Sequence, residues 1–114
     1  MEKNVKKDLL IKGNAVKRLL KEYKMYETEV TKLQTKYDQM KNEGEDEYQL
    51  KKHNEFIQES IAARDAVKPK LRNMADDLTS YLSDIPDEAK ELDEYKIAIE
   101  YLELVKTAFS TELI

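Results

Sequence analysis

The sequence predicts an all-α protein, an elongated antiparallel three-helix bundle of coiled-coil type running up, down and up. Three observations carry this. Apolar residues recur at alternating steps of three and four over the first forty positions, the pattern of a heptad seam. Charged residues make up 39% of the chain while Gly and Pro number only 2 each, a profile of long solvated helices. Helix-breaking residues cluster at two places, around residue 44 and around residue 85.

The first helix is expected over 5–42. Leu9, Val16, Tyr23, Val30 and Tyr37 form one row of its seam, and Val5, Leu19, Tyr26, Leu33 and Met40 the other, with Lys12 the one residue out of place. Gly13 weakens it by about 1 kcal/mol relative to Ala. Asn42-Glu43-Gly44 ends it, and Asp46 with Gln49 three positions on resembles a capping box for the next helix.

The second helix is expected over 46–82, with Leu50, Phe56, Ile57, Ile61, Val67, Leu71, Met74, Leu78, Tyr81 and Leu82 on its buried side. His53, Ser60 and Arg64 interrupt the stripe. Pro69 removes a backbone donor and clashes with the carbonyl of Asp65. A kink near Pro69 is expected rather than a break at Lys68, because Val67, Leu71, Met74 and Leu78 keep one phase across it.

Pro86 with Asp87 and Glu88 suits a helix start, so a third helix is expected over 87–109. Leu92, Tyr95, Ile99, Leu102 and Phe109 would form its seam, with Ala98 and Val105 beside them, and the last residues to Ile114 are expected to fray. Short connections make neighbours antiparallel. At 1.5 Å per residue the first helix would be about 57 Å long, so residues 1–114 read as one rod-like domain. Leu19, Tyr26, Leu33, Leu71, Leu78 and Leu102 are its expected core.

Composition narrows the function. With no Cys there is no disulfide framework or thiolate metal site, and a reducing, cytoplasmic setting is expected. No apolar run is long enough to span a bilayer. A net charge of −4 argues against a nucleic-acid partner. Charge is unevenly spread: residues 1–24 hold eight bases against three acids, and residues 84–103 eight acids against two bases. The plainer explanation is that these blocks pack as neighbouring helices; partner binding is the other.

No catalytic constellation stands out. His53 is alone, Gly13 and Gly44 are isolated, and the carboxylates lack the pocket that acid–base chemistry needs. No enzyme activity, cofactor or metal is expected. Of seven tyrosines, Tyr23, Tyr26, Tyr37, Tyr81 and Tyr95 fall on seams and are expected to pack there rather than form an exposed aromatic strip. Lys51 and Lys52 could simply pair with Glu55 at helical spacing.

Val16-Lys17-Arg18-Leu19, then Lys21-Glu22, Met25-Tyr26-Glu27 and Glu29 resemble the first helix of the tubulin-binding cofactor A (tubulin-specific chaperone A) family. Tyr48, Lys51-Lys52, Glu55 and Ile57-Gln58-Glu59-Ser60 resemble its second, and Glu94-Tyr95-Lys96 its third. The family pattern sets a proline of the second helix about one turn earlier than Pro69. The resemblance implies a cytoplasmic, cytoskeleton-associated chaperone, monomeric or weakly dimeric, that holds free β-tubulin during folding and heterodimer assembly. Other tubulin-folding cofactors are further candidate partners, and no nucleic acid or membrane is expected. The expected contact residues are Lys17, Arg18, Lys21, Lys51, Lys52, Glu55 and Glu59. The alternative is a general helical-bundle adaptor that binds other coiled-coil proteins.

Overall fold

The computed structural model describes residues 4–110. Helix α1 spans Val5–Asn42 and α2 spans Glu47–Asp84; a short 3₁₀ turn, Asp87–Glu91, then precedes α3 at Asp93–Ser110. Among the described residues there is no strand.

The α1–α2 turn is built by local chemistry. Gly44 takes the left-handed conformation at φ 74°. Its N–H donates to Lys41 O at 3.2 Å and that of Glu45 to Met40 O at 3.1 Å, the paired bonds of a Schellman ending. Two residues later the Gln49 N–H donates to Asp46 Oδ1 at 2.8 Å, so Asp46 caps α2. Further along, α2 runs unbroken across Pro69, and the break considered at Lys68 does not occur.

The single helix expected over 87–109 is divided. Pro86, extended at φ −63° and ψ 150°, opens the 3₁₀ turn, and Ala89 N–H donates to its carbonyl at 3.0 Å. Leu92 is extended again at ψ 142° and ends the turn, so the α-helix starts only at Asp93. A proline followed by acids suits either helix type in its first turn, and the burial of Ile85 and Ala89 favours the tighter one.

The chain divides into two compact units. In the first, the described residues up to 21 and from 69 onward bring three helical segments together. Tyr81 Oη donates to Asp8 Oδ2 at 3.0 Å, and one turn along α1 the Lys12 ammonium meets Asp77 at 2.8 Å, one turn back along α2. These helices are therefore antiparallel. Lys6 meets Glu94 at 4.0 Å, and Gly13 lies against the Tyr101 ring, so α3 runs parallel to α1. Leu9, Val16, Leu71 and Leu78 are fully buried among these segments. Lys12, the misfit of the seam, lies over the Tyr81 ring at 5.4 Å with its ammonium on Asp77, a half-buried stem with a satisfied head.

The second unit, Glu22–Lys68, contains only the adjoining parts of α1 and α2. Its seam is more open. Tyr23, Ile57 and Val67 are buried, whereas Tyr26 and Leu33, expected in the core, are half-buried. A side chain between two helices keeps one flank in water where a third would close it. His53 sits in this seam with Nε2–H donating to Leu33 O at 2.9 Å and its ring stacked on Tyr37 at 6.4 Å.

Three more residues assigned to the core, Phe56, Met74 and Ile99, are exposed at 45%, 41% and 38%. In α3 the buried positions are the small side chains Ala98, Val105 and Ala108, while Leu102 is half-buried. The α3 seam is thus turned toward residues that allow close helix approach. Leu20, outside the two rows read from the sequence, is buried as well.

Two pairs of substitutions test this packing by urea denaturation. Leu71→Ala or Leu78→Ala should cost about 2–5 kcal/mol, and Lys36→Ala or Glu91→Ala less than about 0.5 kcal/mol. The glycines should act with opposite sign. An added Cβ at Gly13 would sit 3.8 Å from Tyr101, an ordinary contact within a helix, so Gly13→Ala should stabilise by about 0.5–1 kcal/mol. Gly44→Ala should destabilise by about 1 kcal/mol through its positive φ. A loss at Gly13 or a gain at Gly44 would contradict the assignment.

Candidate partner-binding surface

The faces of the seam helices that packing leaves uncovered carry charged side chains. In the first unit, Lys17, Arg18 and Lys21 stand exposed on α1, side by side within about one helical turn. With Ile11, Asn14 and Ala15 they line a shallow hollow on that helix. Ile11 and Leu10 are exposed at 58% and 44%. The hollow therefore joins an apolar end to a basic end.

In the second unit, Lys51, Lys52, Glu55 and Glu59 are all exposed on α2, with Lys51, Glu55 and Glu59 one turn apart in a single row. The ion pairing considered between the lysines and Glu55 does not form. None of these seven residues is in an ion pair within the described structure. Packing between the oppositely charged ends of the sequence accounts for the Lys6–Glu94 contact, but Lys17, Arg18 and Lys21 take no part in it.

A second depression in the first unit was not read from the sequence. It lies between α2 and α3, encloses about 740 Å³, and has Leu82, Tyr95, Ile99, Leu102 and Phe109 among its lining residues. Arg72 covers one side, its guanidinium 5.2 Å from the Phe109 ring centre. Tyr95, Ile99, Leu102 and Phe109, read from the sequence as the seam of α3, are among its lining and were the available signal. The Leu9-Leu10-Ile11 run was the corresponding signal on α1.

The aromatic residues do not form a strip. Tyr23 is buried and Tyr26, Tyr37, Tyr81, Tyr95 and Tyr101 are half-buried, leaving Tyr48 exposed at 68%. Among the described residues no group of three or more His, Cys, Asp or Glu is placed to hold a metal ion. No described helix is long and apolar enough to cross a membrane. Lys17, Arg18, Lys21, Lys51, Lys52, Glu55 and Glu59 are thus exposed without an ion-pair partner among the described residues, and exposed apolar side chains lie beside the first three.

Relatives share both sequence and fold. Residues 4–102 match the profile of the family described as tubulin binding cofactor A. Tubulin-specific chaperone A of Gallus gallus is 39% identical over 100 residues, covering 88% of this chain and 92% of the relative. The Schizosaccharomyces pombe protein of the same name is 32% identical over 116 residues, covering 96% and 90%. The crystal structure of tubulin folding cofactor A from Arabidopsis thaliana superposes with a TM-score of 0.83 at 31% identity, covering 90% of this chain and 95% of that one. The human tubulin chaperone cofactor A structure gives 0.77 at 33% identity, covering 89% and 97%. With the profile and its relatives spanning most of its length, the chain belongs to the tubulin binding cofactor A family, whose members are tubulin chaperones.

Proposed function

We propose that this protein binds free β-tubulin and holds it, without catalysis, during tubulin folding and heterodimer assembly in the cytoplasm. Membership of the tubulin binding cofactor A family supports the tubulin partner. The observation that carries the binding mode is the set of exposed, unpaired charges: Lys17, Arg18 and Lys21 on α1, and Lys51, Lys52, Glu55 and Glu59 on α2. Such groups lose no internal partner when they meet another protein, so what the new contacts must offset is their hydration and side-chain freedom. Clustered bases also speed encounter with an acidic partner at a rate that falls with salt. Capture of this kind is reversible, and the bound chain passes on by mass action. The chain works as a monomer or weak homodimer, able to act beside other tubulin-folding cofactors at the cytoskeleton.

The test is co-sedimentation or pull-down with purified tubulin. Free β-tubulin should be retained, and the assembled αβ heterodimer should be retained far less, because a chaperone of the free subunit recognises what assembly covers. Reversing Lys17, Arg18, Lys51 and Lys52 to Glu should weaken capture at least about tenfold while leaving the circular dichroism spectrum unchanged, since all four side chains are exposed. Normal capture by the reversed protein would move the contact elsewhere. Absence of β-tubulin binding by the unaltered protein would leave the helical adaptor as the reading.

A further inference from the structure

Charge steering needs only bases, yet the basic cluster on α1 has apolar neighbours that packing does not use. Along the helix, Leu10, Asn14, Lys17 and Lys21 fall in one row and Ile11, Ala15 and Arg18 in the next, at spacings of three and four residues. Leu10 and Ile11 are exposed at 44% and 58%, Ala15 is half-buried, and the three bases have no partner within the described structure. Apolar side chains thus occupy the N-terminal end of the strip and unpaired cations the C-terminal end.

We propose that this strip is a seat for an extended acidic segment bearing one bulky apolar residue, whose side chain rests on Ile11 and Ala15 while its carboxylates reach Arg18, Lys17 and Lys21. This rests on the reading of the same face as part of the partner-binding surface, and it adds the chemistry of what is bound. The occupant is an extended chain rather than a helix. A docked helix presents apolar anchors over two turns or more, and here the exposed apolar footprint is limited to one end.

Spacing sets the occupant's pattern. At 1.5 Å per residue, Arg18 lies about 10 Å and Lys21 about 15 Å along α1 from Ile11. An extended segment covers about 3.3 Å per residue, so its acids should fall about three to five positions from the apolar residue. The Arg18 guanidinium can take one carboxylate through two parallel hydrogen bonds, and the lysines act as point charges on the others. Asn14, exposed between the two ends, offers a side-chain amide to the backbone of the segment.

The experiment is fluorescence anisotropy of labelled nine-residue peptides with the 114-residue protein at low ionic strength. A peptide with one Phe and Glu three, four and five positions after it should bind, and the same peptide with Phe→Ser, or with the Glu residues moved next to Phe, should bind about tenfold more weakly. On the protein, Ile11→Ser should give a similar loss. The double variant Lys17→Glu, Lys21→Glu should lose more than tenfold, whereas Lys32→Glu, Lys36→Glu, with the same charge change at exposed positions of the second unit, should lose little. Circular dichroism confirms that each variant is folded.

Equal binding of the peptides with and without Phe, or equal losses from the two double variants, would overturn the seat. The same variants assayed against β-tubulin separate the two proposals. Peptide binding without β-tubulin capture supports the seat and removes the tubulin assignment. Capture of β-tubulin without binding of the patterned peptide removes the seat and leaves that assignment standing.

Discussion

Everything else in the molecule follows from the apolar seam of α1. It runs with one phase from Val5 to Met40, so a single helix supplies core side chains to both compact units. Where three helical segments come together, Leu9 and Val16 are removed from water almost entirely; in the second unit Tyr23 and Ile57 are as well, but Val30, Leu33 and Tyr37 keep part of their surface wet. The same 3–4 spacing therefore gives two qualities of core. Full burial of a leucine contributes about 1.5–3 kcal/mol, and a half-buried one contributes correspondingly less.

This constraint also explains why the surface is so charged. A seam takes about two residues in every seven, and a chain with 39% charged residues places most of the remainder in water. Some of that charge is tied down locally, as Lys12 is on Asp77 and Tyr81. Lys17, Arg18 and Lys21 on α1 and Lys51, Lys52, Glu55 and Glu59 on α2 are not, and within each helix their spacing is fixed. Presentation of unpaired charge at fixed helical spacing lowers the ordering cost of binding another protein.

The helices, their turn and the family were legible because each rests on local signals. The Asp46 cap and the Gly44 ending need only neighbouring residues to form, and the seam of α1 needs only its own period. What was not legible depends on which neighbour lies opposite. Tyr26 and Leu33 have seam positions like those of Leu19, yet the number of facing helices differs, and no residue in α1 records that number. In α3 the period was clear, but facing segments turned the helix so that Ala98, Val105 and Ala108 are buried and Ile99 is exposed. The basic cluster was visible in the sequence; that Leu10 and Ile11 remain uncovered beside it was not. Nor could the sequence tell a 3₁₀ turn at Asp87–Glu91 from the first turn of α3, since both begin with the same residues.

Hydrogen exchange followed by mass spectrometry on the free protein tests the dependence of burial on helix number most directly. Amides in 9–20, 71–82 and 98–108 should exchange in a slow class close to the global unfolding limit, and those in 26–40 and 48–62 measurably faster through sub-global opening. Uniform protection along α1 and α2, or slower exchange in the two-helix unit than in the three-helix unit, would contradict the account.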